Sequence, residues 1–185
     1  MKQNESIVMY VLRLAGTLLL ICAVTAGLLA GVNGITAPII AELNAAATQE
    51  AISAVLPGGF DSEITDYADA SGIVSKVYQG ENGYALEAGP GGFDNTITMM
   101  VGIDNEGKVL GSSVVSHSET AGLGAVAYAD TPKGIAFREQ FVGTSGSVSV
   151  TKDGGMMDAI TGATITSRAI CVGGNAALDC VAGLG

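Results

Sequence analysis

Leu14 to Val32 reads LAGTLLLICAVTAGLLAGV, 19 residues without a charge, close to the roughly 20 that a helix needs to cross a bilayer. This run divides the 185-residue chain into a membrane segment and a remainder of one ordinary domain's size, since domains cluster at about 100 to 150 residues. Ile7 to Leu12 is also apolar, so the helix is expected to start before the run, with Arg13 reaching back to the interface. Lys2 and Arg13 precede the span, the next basic residue is Lys76, and Glu42 and Glu50 lie nearer on the far side. Positive-inside reasoning therefore puts the N-terminus in the cytoplasm and everything after Asn33 outside, a single-pass protein of the cell (inner) membrane. A cleaved signal peptide is the competing reading, but its apolar region is normally about 7 to 15 residues. Cys22 follows Leu20 and Ile21, which favours an ordinary membrane cysteine over a lipidated one.

Composition agrees. Mean hydropathy is +0.45, with 27 Gly and no Trp, too apolar for a disordered chain. The formal charge is −10, which argues against nucleic acid as a partner. One of the 18 acids and two of the 8 bases precede Asn33, so the outer part is the more acidic, as a solvated surface would be. Cys171 and Cys180 on one helix would fall on opposite faces, about 13 Å apart along the axis, too far for a disulfide. With a single His and no close cysteine pair, no metal site is expected from this chain alone.

Two domains of unequal size follow: residues 1–33, a cytoplasmic tip and transmembrane anchor, and residues 34–185, the extracytoplasmic domain. In the second, Ile35 to Leu56 has helical apolar spacing, with Pro38 suited to a first turn. Pro57-Gly58-Gly59-Phe60 stops it, and the same tetrapeptide recurs at Pro90-Gly91-Gly92-Phe93. Short β-type runs follow at 73–78, 84–87, 96–103 and 108–115, with Asp104 to Gly107 as a hairpin turn. A Gly-rich segment to Gly124, a helix at 133–141, a strand at 147–151 and a final helix at 166–181 complete the pattern. Strands in a run with helices at the ends predict an α+β fold with an antiparallel sheet and flanking helices.

Two segments carry chemistry. The first, Asp158-Ala-Ile-Thr161-Gly162-Ala163-Thr164-Ile-Thr166-Ser167-Arg168, is a small, hydroxyl-rich turn before a helix, where free N–H groups and the helix dipole favour a phosphate. The plain alternative is an N-cap supplied by Thr166 or Ser167. The second, Ser116-His117-Ser118-Glu119-Thr120-Ala121-Gly122-Leu123-Gly124, follows a strand. His117 and Glu119, two apart, would share a face as an acid/base pair; a polar Gly-turn loop is the alternative.

Asp158 to Thr164 resembles the flavinylation motif Asp-x-x-[Ser/Thr]-Gly-Ala-Thr of FMN-binding domains. The resemblance implies that a flavin transferase links FMN, through a phosphoester, to the hydroxyl of Thr164. It also implies that Thr161, Gly162 and Ala163 shape the loop and that Asp158 belongs to the segment the transferase reads. The second segment resembles the His-x-Glu-Thr-Pro-Gly-Leu-Gly stretch of the G subunit of Rnf-type electron transport complexes and of the related C subunit of the sodium-pumping quinone reductase. By that resemblance Glu119 and Thr120 offer polar contacts to the flavin and Leu123 an apolar one, while Ala121 stands where the family usually has Pro. Lys152 resembles a basic residue upstream of the loop, placed to stabilise reduced flavin; a solvated hairpin lysine is the alternative.

With the anchor, the order of the motifs and the length, the whole chain most resembles the Rnf G subunit. The quinone reductase subunit is the rival, set second because this chain is short. The resemblance implies a redox subunit, not catalytic alone, of a ferredoxin:NAD oxidoreductase complex that moves ions. Its implied partners are the other membrane subunits, the transferase during maturation, and lipid. Two other classes remain open: an anchored module binding a noncovalent ligand, and a structural subunit. Gly27 and Gly31 have GxxxG spacing for a partner helix.

Overall fold

The computed structural model describes the backbone of residues 2–184. Met1, Gly185 and the side chains of residues 2–6, among them Lys2, on which part of the orientation argument rests, lie outside the described residues. The chain divides into two compact units, Met1–Ala45 and Ala46–Gly185.

The first unit is a single helix, the greater part of α1 (Lys2–Val55). Leu18 to Ile21, Leu28, Leu29 and Val32 are all exposed, so the helix has an apolar surface with no protein against it and is long and apolar enough to cross a membrane. Its threonine hydroxyls are satisfied internally: Thr17 donates to the Leu14 carbonyl at 2.8 Å, Thr25 to Ile21 at 2.9 Å and Thr36 to Val32 at 3.0 Å. Such back-bonding is what a hydroxyl needs where no water is available. The expected break near Asn33 does not occur. Pro38 lies inside α1 rather than in the first turn of a second helix. One proline removes one ladder bond, and the alanine-rich residues beyond it carry the helix on.

In the second unit a five-stranded antiparallel meander, β1 (Ser62–Ile64), β2 (Val74–Gly80), β3 (Gly83–Ala88), β4 (Thr98–Asp104) and β5 (Val109–Ser116), keeps sequence order across the sheet. The fold is α+β. The end of α1 covers one face, where Ala51, Ile52, Val55 and Leu56 pack with Tyr78, Ala85 and Met100. Gly102, opposite Gly111 in the β4–β5 ladder, makes room for it, because a Cβ there would strike the Val55 carbonyl. The other face carries α2 (Pro132–Glu139) and α3 (Thr164–Ala182), packed on Val77, Leu86, Met99, Val101 and Ile103. The β4–β5 turn forms as expected: Gly107 has φ +79°, and Asp104 Oδ1 accepts from the N–H groups of Glu106 (2.9 Å) and Lys108 (2.8 Å).

Residues 147–151 do not form the expected strand. The Asn175 side chain of α3 takes the place of a neighbouring strand, its Oδ1 accepting from the Val148 N–H at 2.7 Å and its Nδ2 donating to the Val148 carbonyl at 2.9 Å. Only Val150 pairs in β fashion, with Met157, before a 3-10 turn at Thr151–Asp153.

Cys171 and Cys180 are free and buried on α3, and burial pushes the Cys171 thiol up to about 11. In the folded chain both should resist iodoacetamide near neutral pH, because the thiolate is the reactive form, and both should react after unfolding. Rapid labelling of either before unfolding, read by peptide mass, would contradict this packing.

Candidate functional site

The loop between the Val150–Met157 bridge and α3 ends at Ala163, which caps α3 without a side-chain hydrogen bond. The cap expected at Thr166 or Ser167 is not there; the helix starts two residues earlier, and both hydroxyls face inward. Ser167 Oγ accepts from the Ile160 N–H and donates to the Ala163 carbonyl, each at 3.0 Å, fastening the loop to the first turn. Thr166 donates to Glu119. The first-turn N–H groups are thus free of a capping side chain, as a phosphate site at a helix N-terminus requires.

Thr164 stands at that turn, and Lys152 Nζ donates to its Oγ1 at 3.2 Å. Lys152 is itself exposed, but its 3-10 turn is fixed from the other side. Arg168 holds Asp153 with two bonds, Nε to Oδ2 and Nη2 to Oδ1, both 2.6 Å. This pairing keeps the Asp153 carboxyl below the usual carboxylate range. A two-bond guanidinium fork fixes orientation as well as distance. Asp153 and Arg168 therefore set where Lys152 stands, a role that sequence reasoning missed because the two are fifteen residues apart.

The opposite wall is the segment after β5. Glu119 is buried, 7% exposed. Its Oε1 accepts from the Phe93 N–H at 2.8 Å, and its Oε2 accepts from the Thr166 hydroxyl. The carboxylate so joins the Pro90–Phe93 turn to the start of α3. The approach is close enough that a Cβ on Gly124 would strike the Glu119 carboxylate. His117 does not face Glu119 as an acid/base partner. Its Nδ1 accepts the Glu119 backbone N–H at 3.2 Å and its ring stacks on Tyr128, centroids 4.9 Å apart. Thr120 accepts at its carbonyl from the N–H groups of Leu123 and Ala125, closing a turn in which Gly122 has φ +77°.

Between these walls lies a cleft of about 310 Å³, lined by Phe93, Glu119, Thr120, Leu123, Gly124, Lys152, Gly162, Ala163, Thr164, Ile165 and Thr166. Of the residues singled out in the sequence, Glu119, Thr120, Leu123, Lys152, Gly162, Ala163 and Thr164 meet here. Thr161 does not. It lines a separate cleft behind the loop, with Asp158, Lys133 and Gln140, where the Gln140 amide holds both the N–H (2.7 Å) and the carbonyl (3.3 Å) of Asp158. Phe93 and Ile165 were missed. Phe93 had a signal, the repeated Pro-Gly-Gly-Phe, but the copies differ in fate: Phe60 packs on Tyr78 at 4.9 Å, whereas Phe93 is 66% exposed.

The donor set fits FMN. A hydroxyl and a cation stand together at a helix N-terminus, where a phosphate is favoured, and Phe93, Leu123 and Ile165 give the apolar surface that a ring system needs.

Residues 92–179 match the model of the FMN-binding domain and residues 1–55 that of the RnfG N-terminal region. The chain is 33% identical to the G subunit of the Na(+)-translocating ferredoxin:NAD(+) oxidoreductase complex of Acetobacterium woodii, over 91% of this chain and 90% of that one. It is 35% identical to the G subunit of an ion-translocating oxidoreductase complex of Methanosarcina acetivorans, over 89% and 91%. The corresponding protein of Pseudomonas aeruginosa is 33% identical over 86% and 83%.

Replacing Glu119 with Ala would leave the Phe93 N–H and the Thr166 hydroxyl without partners, at a cost of about 3 kcal/mol. Thermal unfolding of the variant should fall by roughly 10 °C, and Glu119→Gln, which keeps an acceptor, should recover part of that. An unchanged midpoint in Glu119→Ala would show that the carboxylate does not join the two walls.

Proposed function

The chain belongs to the family of G subunits of ion-translocating oxidoreductase complexes, and on that footing we propose that it carries electrons within such a complex through FMN esterified to Thr164. The observation that carries this reading is the pairing of Thr164 Oγ1 with Lys152 Nζ at the uncapped start of α3. FMN, when bound, supplies the ability to take up and release electrons one at a time. Everything else is done by the chain.

In this reading the Thr164 hydroxyl is the acceptor. Attachment would form an Oγ–P bond as the phosphoanhydride P–O bond of an activated FMN donor, brought by a flavin transferase, breaks; the hydroxyl gives up its proton and the bridging oxygen leaves with the other half of the donor. Lys152, donating to Oγ1, holds the hydroxyl on the wall of the cleft and would offset the negative charge of the phosphodiester. Gly162, with φ +82°, makes the turn from which α3 starts, its first N–H groups left without a capping side chain. Thr120, Leu123 and Ala163 line the space for the ribityl chain and the ring. Thr161 and Asp158, on the far side of the loop, remain open to the transferase.

The partners in this reading are the other membrane subunits of an Rnf-type complex, transferring electrons between ferredoxin and NAD as the Acetobacterium relative is named to do. The helix Lys2–Val55 anchors the chain in lipid, N-terminus in the cytoplasm, with the flavin domain on the extracytoplasmic side. A covalent tie suits that side, where released FMN would be diluted beyond any noncovalent affinity.

Intact mass and in-gel flavin fluorescence after full denaturation, on chain coexpressed with a flavin transferase, test the attachment. Wild type should carry an FMN increment and Thr164→Val none; wild type without the increment beside an active transferase would remove the reading. In the loaded protein, Lys152→Met should lower the flavin midpoint potential by about 40 mV, the one-electron equivalent of a solvent-screened charge pair of roughly 1 kcal/mol. An unchanged potential would place the Lys152 charge away from the flavin.

A further inference from the structure

Phe93 is the one phenylalanine of four whose ring stands in solvent. Phe137 and Phe141 are buried edge to face at 5.8 Å, and Phe60 packs on Tyr78. An exposed aromatic ring by itself is ordinary. What sets Phe93 apart is how firmly its backbone is held for a side chain that is so little packed. The Gly92 N–H donates to the Asn95 carbonyl at 2.8 Å, the Ile97 N–H to the Pro90 carbonyl at 2.9 Å, and Gly91 bridges to Thr96. The Phe93 N–H is taken by the buried Glu119 carboxylate at 2.8 Å. A Cβ on Gly92 would strike that carboxylate, with the Asn95 carbonyl and the Ile97 side chain also within 3 Å. The turn is therefore built in one conformation around a buried side chain, and it puts the ring on the wall of the cleft that contains Thr164 and Lys152.

We propose that Phe93 is a flavin-contacting residue, its ring packed against the ring system of FMN, and that Glu119 is the positioning residue that sets the turn presenting it. The proposal rests on the reading of the cleft as an FMN site. Aromatic pairs favour offset or edge-to-face packing, and a ring fixed through its backbone loses little further freedom on meeting a ligand. Leu123 and Ile165, 45% and 49% exposed, extend the same apolar wall, so the flavin would cover surface that the chain leaves open to water. The role of Glu119 follows from its bonds. Both of its oxygens are engaged within the protein, and it acts on the cofactor through Phe93 and through Thr166 on α3.

The chain has no tryptophan, so a tryptophan introduced at position 93 would be the sole indole able to quench the flavin by electron transfer at contact. The full chain, coexpressed with a flavin transferase, is compared as wild type, Phe93→Trp and Phe93→Leu, by FMN mass increment and by flavin emission before and after denaturation. Loss of emission per bound flavin in folded Phe93→Trp, restored on denaturation and absent from Phe93→Leu, is expected. Iodide should quench the flavin of Phe93→Leu more steeply than that of wild type, because the ring no longer shields it. Equal emission in loaded Phe93→Trp and wild type, with equal iodide slopes for Phe93→Leu and wild type, overturns the assignment and leaves the FMN reading standing. If the complex then loses activity, Phe93 is a subunit contact instead. Absence of the FMN increment from all three chains overturns both readings.

Discussion

The cleft depends on one buried carboxylate. Glu119 holds the turn before β4 with one oxygen and the first turn of α3 with the other, two segments far apart in the chain. A buried carboxyl group is costly unless donors meet its oxygens, and here an amide meets one and a hydroxyl the other. The constraint this imposes is steric: Gly92 and Gly124 must both lack a side chain for the carboxylate to reach its partners. A glycine on each side, a threonine on α3 and a carboxylate between them are one device spread over four places in the sequence. The Glu119 wall is then braced from both sides, whereas Lys152, across the cleft, is exposed, its turn held by the Asp153–Arg168 pair and the Val150–Met157 bridge.

Much of the fold was legible because its signals are local. The β4–β5 hairpin follows from Asp104 and Gly107, whose turn chemistry acts within five residues. The membrane helix follows from a charge-free run. Failures came where the deciding partner is remote or where two local rules compete. Pro38 suggested a boundary, yet the alanine-rich residues after it outweighed the loss of one backbone bond. Ser147 to Thr151 alternates like a strand, but the amide that pairs with Val148 belongs to Asn175, on a helix. The three residues of β1 are too few to show periodicity, and they pair because Asp61 and Ser62 fall beside Gln79.

The candidate site was legible in its parts and not in its assembly. The loop and the Glu119 segment stood out as motifs, and six of the residues taken from them converge with Lys152 on one cleft. What spacing could not show is that a motif has two sides. Gly162 to Thr164 line the cleft, whereas Asp158 and Thr161 line the other one, where Gln140 holds the backbone of Asp158. Nor could it show that Glu119 uses its hydrogen bonds inside the protein. A carboxylate in a polar, glycine-rich loop reads as a ligand contact; only the convergence of the Phe93 N–H and the Thr166 hydroxyl shows that it also braces the walls.

The exposure of the cleft bears on why a tether would serve here. Thr164 is half-buried, Lys152 exposed, and the apolar wall of Phe93, Leu123 and Ile165 is open to water. Such a surface offers modest affinity for a free ligand. A ligand joined through Thr164 is presented at an effective concentration of the order of millimolar, so contacts worth about 4 kcal/mol are enough to keep its ring in the cleft half of the time. The same loose hold leaves a ring edge accessible from solvent, which an electron carrier needs on at least one side. In the proposed reading the ester therefore takes over the task of retention, and the cleft is left to orient the flavin through few groups: Lys152 beside the ester, and Phe93, Leu123 and Ile165 along the ring.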